Sequence, residues 1–241
     1  MGGLLAAEHI GALAAIALFC AVAVIAARRS SGAWIKGLAI VLVVDELSWW
    51  LYLLAGGQPG SRLAWSLPLQ LCDAGIFVAG FALWFRRQWL VEVTYFWGLT
   101  GTLQALLTPD LPQHFPTYPY FQYYIAHGGV VAAALLMVFG LGLRPRRSAV
   151  ARVAAMTVAY TAFVGVVDAL TGANYMYLRS KPATPSLLDV MGPWPWYVIS
   201  AGVVALLLFL ILNAPFLLRR ALKPKEVLAG GGPGGSPDPS R

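Results

Sequence analysis

Seven stretches of mostly apolar residues, separated by charged or Pro-rich breaks, constrain this chain more than any other feature of it. They run over 8–27, 33–55, 67–85, 89–108, 121–143, 150–170 and 194–218. At 1.5 Å per residue, about 20 residues cross roughly 30 Å of hydrocarbon, so each stretch is a candidate membrane span. A backbone in lipid has no water to satisfy its N–H and C=O groups, and these stretches do not alternate polar with apolar as barrel strands do. The expected fold is therefore all-α, a polytopic bundle of seven transmembrane helices. Composition agrees: 59% of the 241 residues are hydrophobic and 11% charged, where soluble domains hold roughly 45–50% and about 25%. One domain is expected over 1–222. The tail over 223–241, rich in Gly, Pro and Ser toward its end, lacks the apolar residues to bury a core and is expected to be disordered and cytoplasmic.

The basic residues set the orientation. Arg28, Arg29, Lys36, Arg86, Arg87, Arg144, Arg146, Arg147, Arg152, Arg219, Arg220, Lys223, Lys225 and Arg241 fall on one side, and only Arg62, Arg179 and Lys181 on the other. The split of 14 to 3 places the N-terminus outside and the C-terminus in the cytoplasm of a multi-pass plasma (inner) membrane protein. The net charge of +7 is then a topology signal, and no nucleic-acid partner is expected. The first stretch carries Glu8, lacks a basic leader and is followed by Arg28 and Arg29, so it reads as a span and not as a cleaved signal.

An ionisable group inside a span costs on the order of 3 kcal/mol, so each is a candidate for function that faces inward. Counted from the outer end of its span, Cys72 lies roughly 8 Å deep, Asp73 and His127 about 9 Å, Gln104 about 6 Å and Asp168 about 3 Å. Glu8 and His9 sit at the outer end of the first span; Asp45 and Glu46 lie deeper. This distribution predicts a polar cavity open toward the outer leaflet. Leu67-Pro68 opens the third span, which leaves Cys72 near a helix N-terminus, where the dipole favours a thiolate. His127 lies at comparable depth on an antiparallel helix. Nucleophile and base together are the minimal kit for thioester-forming acyl transfer.

Simpler readings exist for each group. A membrane Cys or His is commonly a packing residue or an interhelical strut. Cys20 reads as a small buried hydrophobe, and the different depths of Cys20 and Cys72 argue against a disulfide. Asp45 and Glu46, near Trp49 and Trp50, fit either a cation or proton path or a structural network. Glu92 is within reach of Arg86 or Arg87 as a structural pair. Gly98, Gly101, Ala105 and Thr108 mark a face for close helix packing, with Gln104 beside it aimed inward. Tyr123 and Tyr124 share the face of His127 and are placed to hydrogen-bond it. The long external loop over 171–193, with Asn174-Tyr175-Met176-Tyr177, is expected to close with the Pro-rich loop around Asp110 as a lid over the cavity. Its Trp194, Trp196 and Tyr197 also fit an interfacial aromatic belt.

Several segments carry a resemblance: Tyr95-Phe96-Trp97-Gly98-Leu99 through Gln104-Ala105-Leu106-Leu107-Thr108-Pro109-Asp110, Phe121-Gln122 to His127-Gly128, Asn174-Tyr175-Met176-Tyr177-Leu178 through Ser186-Leu187-Leu188-Asp189 to Gly192-Pro193-Trp194-Pro195-Trp196-Tyr197, and Leu67-Pro68-Leu69-Gln70-Leu71-Cys72. Together they resemble the bacterial YwaF-like family of integral membrane proteins over nearly the whole chain except the tail. On Cys72 and His127 the chain is also distantly similar to a eukaryotic multispan family that moves fatty acyl chains onto ether phospholipids, in which a membrane cysteine carries the acyl group. The chain departs from the bacterial pattern at Gln70, often His there, and at Asp73, often small; His127 or His9 would then serve as base.

The leading expectation is a lipid acyltransferase or acyl hydrolase acting on membrane phospholipids, with Cys72 as nucleophile, His127 as base and Gln104 or Gln70 as oxyanion donor. His9, Asp45, Glu46, Asp73, Asp168, Asn174 and Tyr123 would line the cavity. A rival reading makes Asp45, Glu46, Asp73 and Asp168 the path of a proton-coupled solute; a third makes the polar cluster structural. The last span holds no Lys for a retinal Schiff base, and motifs for zinc proteases or phosphate loops are absent. His9, His127, Asp73 and Cys72 come from three helices without a ligand spacing, so no metal or other cofactor is expected.

Overall fold

The computed structural model describes residues 6–30, 32–56, 67–182 and 186–222. Eight α-helices follow in order: α1 Ala7–Arg29, α2 Ala33–Leu54, α3 Leu71–Phe85, α4 Gln88–Trp97, α5 Leu103–Leu107, α6 Tyr118–Leu135, α7 Ala149–Thr171 and α8 Trp196–Ala221. No strand occurs among the described residues. The expected tail over 223–241, and Arg62, lie outside them.

Among the described residues, five helical runs are long and apolar enough to cross a membrane: Ala7–Arg29, Ala33–Leu54, Tyr118–Gly140, Ala149–Thr171 and Trp196–Ala221. The third and fourth stretches of the sequence take a different form. The third becomes α3, apolar but only 15 residues long, about 22 Å at 1.5 Å per residue. Its first turn is displaced to Leu71 because Leu67 to Gln70 form an extended lead-in, with Gln70 at φ −62° and ψ 148°. The fourth is an unbroken helical line from α4 to α5, interrupted by a π-turn at Gly98–Thr102. A second π-turn, Leu136–Gly140, ends the α6 line.

Packing divides the helices into a centre and a shell. In α4 every residue from Leu90 to Trp97 is buried, and α6 buries Gly128 through Ala134 without a break. The α6 stretch Gly-Gly-Val-Val-Ala-Ala-Ala is continuously apolar and small, as close packing on all sides requires, whereas α4 fills the centre with Tyr95, Phe96 and Trp97. Gly98 marks the contact between the two: a Cβ there would stand 3.2 Å from Val130 and 3.4 Å from Ala134, so the small-residue face expected at Gly98 does serve close packing. The shell helices α1, α2, α7 and α8 turn large apolar side chains outward, among them Leu18, Leu51, Val158 and Ile211. Lipid is the solvent that accepts such a surface.

At the Arg-rich end, Glu92 is fully buried and does not pair with Arg86 or Arg87 as the sequence suggested. Arg146 reaches it with its backbone N–H at 3.0 Å, Nε at 2.9 Å and Nη2 at 3.2 Å, and Arg152 reaches it through Nη1. The cause is geometric. Arg86 takes the left-handed C-cap of α3 (φ 52°), whereas the loop before α7 brings Arg146, and the first turn of α7 brings Arg152, to the carboxylate.

Candidate functional site

The opposite end holds the polar groups. Its scaffold is the lead-in to α3, tied down by three bonds: the Leu67 N–H donates to the Tyr175 hydroxyl at 2.7 Å, the Tyr160 hydroxyl donates to the Leu69 carbonyl at 3.1 Å, and the Met176 N–H donates to Gln70 Oε1 at 2.7 Å. Pro68 and the extended Gln70 then start α3 so that Cys72 falls in its first turn. Asp73, the third helical residue, lies where its carboxyl takes the Gln70 backbone N–H, the position of the acid in a capping box.

Around the Cys72 thiol, Thr102 supplies a hydrogen-bonding hydroxyl. Thr102 is the last residue of the π-turn, and the wider turn shifts the side chains that follow it around the helix axis. Such insertions recur at functional sites. Asp73, Glu46, Tyr123 and Tyr177 lie within electrostatic range of the same thiol. Glu46 of α2 is 1% exposed, its Oε1 has no hydrogen-bond partner, and it faces the carboxyls of Asp73 and Asp45. Asp45 in turn accepts from Gln122 Nε2 at 3.3 Å. A buried carboxyl oxygen left unpaired is costly to a fold, so it marks a site where something other than packing has set the residue.

His127 is half-buried one turn after Tyr123. Its Nδ1 sits 2.8 Å from the Tyr123 carbonyl, and the two rings stack with centroids 4.1 Å apart. A carbonyl can only accept, so Nδ1 carries the hydrogen and Nε2 of the neutral ring is the acceptor. Tyr123 donates its own hydroxyl to the Ala105 carbonyl at 2.6 Å. No hydrogen bond joins Cys72 to His127 among the described residues; Tyr123 adjoins both.

Other expected members are placed elsewhere. Gln104 is exposed and donates to Thr108 Oγ1 at 2.9 Å, so it does not aim inward as expected: the π-turn changes the register that set its face. His9 is buried against Tyr124, its Nδ1 2.8 Å from that hydroxyl. Tyr124 therefore serves His9, and Tyr123 alone serves His127. Glu8 holds His114 and the Phe115 N–H. Asp168 is fully buried at the end of α7, where Oδ1 accepts the Tyr175 N–H at 2.9 Å and Oδ2 has no partner. Asn174 closes its own loop: its amide nitrogen donates to Ser180 and its oxygen accepts the N–H groups of Arg179 and Ser180. Cys20 and Cys72 are both free, Cys20 packing beside Leu106, Tyr120 and Tyr124.

The loop around Asp110 and the loop around Tyr177 meet at the site. The Tyr177 hydroxyl donates to Asp110 Oδ2 at 3.2 Å, and the Tyr177 carbonyl accepts from the Tyr197 hydroxyl at 2.6 Å. Burial, then the Asp110 carboxylate, pushes the Tyr177 phenol above its ordinary range, which keeps it a donor. Met176 and Tyr177 both take left-handed backbone, φ 54° and 55°, a conformation side-chain-bearing residues avoid at some cost and that surrounding contacts must hold. Residues 183–185 of the same loop lie outside the described residues.

Sequence reading reached Cys72, Asp73, Glu46, Gln70, Tyr123 and His127. It missed Thr102, and it missed that Tyr160, Tyr175 and Tyr177 hold the lead-in and the loop in place. A Thr following two glycines in Gly98-Leu99-Thr100-Gly101-Thr102 was the available signal. Among the described residues no group of three or more His, Cys, Asp or Glu is arranged to hold a metal ion.

No curated protein and no solved structure matches the chain. A family match does cover it from residue 4 to residue 213, taking in α1 to α7, most of α8, the Cys72 lead-in, the π-turns and the Tyr175–Tyr177 loop. On that match this multi-pass membrane protein belongs to the TMEM164 family.

Proposed function

We propose that the protein is a membrane acyltransferase in which Cys72 carries an acyl group taken from a phospholipid. The observation that carries the reading is the setting of the thiol: it lies in the first turn of α3 beside the Thr102 hydroxyl, with Tyr175 and Met176 docked on the same lead-in and the His127 imidazole, of fixed tautomer, stacked on Tyr123. The resemblance to the YwaF-like proteins and to acyltransferases that serve ether phospholipids supports it.

In the reaction, the Cys72 sulfur adds to the ester carbonyl carbon. The S–C bond forms, the ester C–O bond breaks, and the thiol proton passes through His127 Nε2 to the departing glycerol oxygen, giving a lysophospholipid and a thioester. A second lysophospholipid hydroxyl then attacks the thioester and the thiol regains its proton; water in that role makes the reaction a hydrolysis. Gln70 has its amide oxygen engaged by Met176, which leaves its NH2 as the donor for the oxyanion. No cofactor is required.

In the same reading, α3 and the α4 to α5 line complete a set of seven crossings, the N-terminus is outside, and the site faces the outer leaflet of the plasma (inner) membrane. A second reading is favoured by one observation, the unpaired Glu46 carboxyl beside Asp73 and Asp45: these carboxyls would form a proton-coupled solute path.

Intact-protein mass spectrometry after incubation with phospholipid decides between them. Acyl transfer predicts a mass increase of one fatty acyl group on the wild type, absent in Cys72→Ala and formed more slowly in His127→Ala. No adduct with any lipid, together with uptake activity that survives Cys72→Ala and is lost in Glu46→Gln, would overturn the acyl-transfer reading and establish the solute path.

A further inference from the structure

After the Tyr175–Tyr177 loop the chain makes one more short helical turn, the 3₁₀ segment Leu187–Met191, before α8 begins at Trp196. In a 3₁₀ turn side chains three apart eclipse one another, so Leu187 and Val190 form one ridge. The ridge is bare: the two residues are 56% and 81% exposed. A single apolar side chain on a water-facing loop needs no explanation, but the placement of this pair does. The segment packs along the flank of α8 instead of standing above it, since the Ser200 hydroxyl donates to the Met191 carbonyl at 3.5 Å. Ser200 lies four residues into α8 from Trp196, about 6 Å further along the helix axis. A Cβ on Gly192 would likewise stand 3.7 Å from the Trp196 Cβ.

Polar groups of the segment are bonded within the protein. The Ser186 N–H donates to Asp189 Oδ2 at 2.7 Å, the Asp189 N–H to the Ser186 carbonyl at 3.0 Å, and Lys181 Nζ to the Asp189 carbonyl at 3.4 Å. Backbone at the edge of hydrocarbon has to be satisfied in this way. Beside the segment, α8 turns Ile199 and Val203 outward, each more than half exposed, and Trp194 and Trp196 expose their rings as aromatic residues do at the membrane surface. The bare ridge thus extends the lipid-facing side of α8.

We propose that residues 186–194 form a foot seated in the leaflet on the Cys72 side, with Leu187 and Val190 among its acyl chains. Continuity with the lipid-facing side of α8 makes hydrocarbon the partner, in preference to water or a second copy of the chain. The foot is joined to the site loop: Trp194 Nε1 donates to the Leu178 carbonyl at 3.0 Å, and the Tyr197 hydroxyl donates to the Tyr177 carbonyl at 2.6 Å. Its seat therefore sets the height of that loop against the lipid. This holds for any membrane-embedded form of the chain, whether or not Cys72 carries an acyl group.

Spin labels placed singly through Leu187→Cys, Val190→Cys and Ile199→Cys, in the full chain with Cys20→Ser and Cys72→Ala, test the seat in lipid nanodiscs. Collision with oxygen, which dissolves in hydrocarbon, is compared with collision with a water-soluble nickel chelate. If the foot is seated, the labels at 187 and 190 behave as the one at 199: oxygen reaches them, and the chelate collides at least about tenfold less often than with free label in buffer. Chelate collision within about twofold of free label at 187 and 190, with 199 protected, overturns the proposal and makes the ridge water-facing. Protection of both positions from both quenchers overturns it too, because a second chain then covers the ridge. Wild-type protein gives an independent reading through photolabelling by a phospholipid with a diazirine in its acyl chain, followed by peptide mass spectrometry. Adducts on 186–194 are expected; adducts on α8 with none on that segment would refute the seat.

Discussion

The bond between the Met176 N–H and Gln70 Oε1 is a direct link between the Tyr175–Tyr177 loop and the lead-in of the helix that carries Cys72, and breaking it gives a measurable opening. In Gln70→Leu the Met176 N–H loses its acceptor only while the loop stays docked; undocked, it finds water. The variant therefore shifts the docked-to-open balance by the cost of an unpaired polar group, about 1–3 kcal/mol. That corresponds to roughly 5- to 150-fold more open molecules, since about 1.4 kcal/mol is tenfold. Tyr177→Phe removes the 3.2 Å bond to Asp110 at the smaller cost of about 0.5–1.5 kcal/mol, roughly 2- to 12-fold. The assay is the rate of maleimide labelling of each cysteine, resolved by peptide mass spectrometry. With opening fast relative to labelling, the Cys72 rate rises by these factors, and Cys20, 6% exposed in α1 and packed at Leu106 and Tyr124, keeps its own rate. The reasoning fails if Cys72 labels at the wild-type rate in Gln70→Leu, because the loop then does not limit access. It fails equally if both cysteines speed up together, because the variant has then loosened the whole bundle.

The helices were legible because lipid imposes one rule on all of them, and the π-turns were not because nothing local in the sequence demands them. Five runs match apolar stretches closely in extent. The third differs because Leu67-Pro68-Leu69-Gln70 is apolar enough to pass for helix, yet its Leu67 N–H and Leu69 carbonyl are bonded to Tyr175 and Tyr160, and its Gln70 side chain to Met176. Those partners lie about a hundred residues away in the chain, and hydropathy carries no trace of them. Cys72 and Asp73 keep the same height because they are neighbours on one helix, and His127 keeps its expected place on α6 because that helix is regular up to that point. The expectation fails at Gln104, which follows the π-turn, since one wide turn rotates every later side chain relative to an α-helical count. For Glu92, proximity in sequence favoured Arg86 and Arg87, whereas the fold supplies Arg146 from the loop before α7 and Arg152 from the first turn of α7. Charge predicted that a pair would form; only topology decides with whom.

Three further outcomes follow from the packing. His9→Leu removes the bond to Tyr124 and lowers stability in detergent by about 1 kcal/mol, yet leaves acyl loading of Cys72 at the wild-type rate; a large loss of loading with normal stability would instead make His9 the base. Glu92→Gln replaces a buried acceptor of five donors with a group that presents two N–H donors of its own, so the melting temperature falls, by an amount corresponding to about 2 kcal/mol; an unchanged melting temperature would show that water serves these donors as well as the carboxylate does. The glycines separate contact from propensity. At Gly140 a new Cβ would stand 2.6 Å from the Ala27 Cβ and 3.2 Å from the Val24 carbonyl of α1, atoms that move only if the helices part. At Gly11 nothing lies within 4 Å. Gly140→Ala should therefore cost about 1–3 kcal/mol by overpacking, while Gly11→Ala should gain about 0.4–1 kcal/mol by restricting the unfolded chain. The opposite signs, read from two thermal unfolding curves, test whether α1 rests on the end of the α6 line as closely as the structure places it; two gains would mean that the contact at Gly140 is looser than a methyl group.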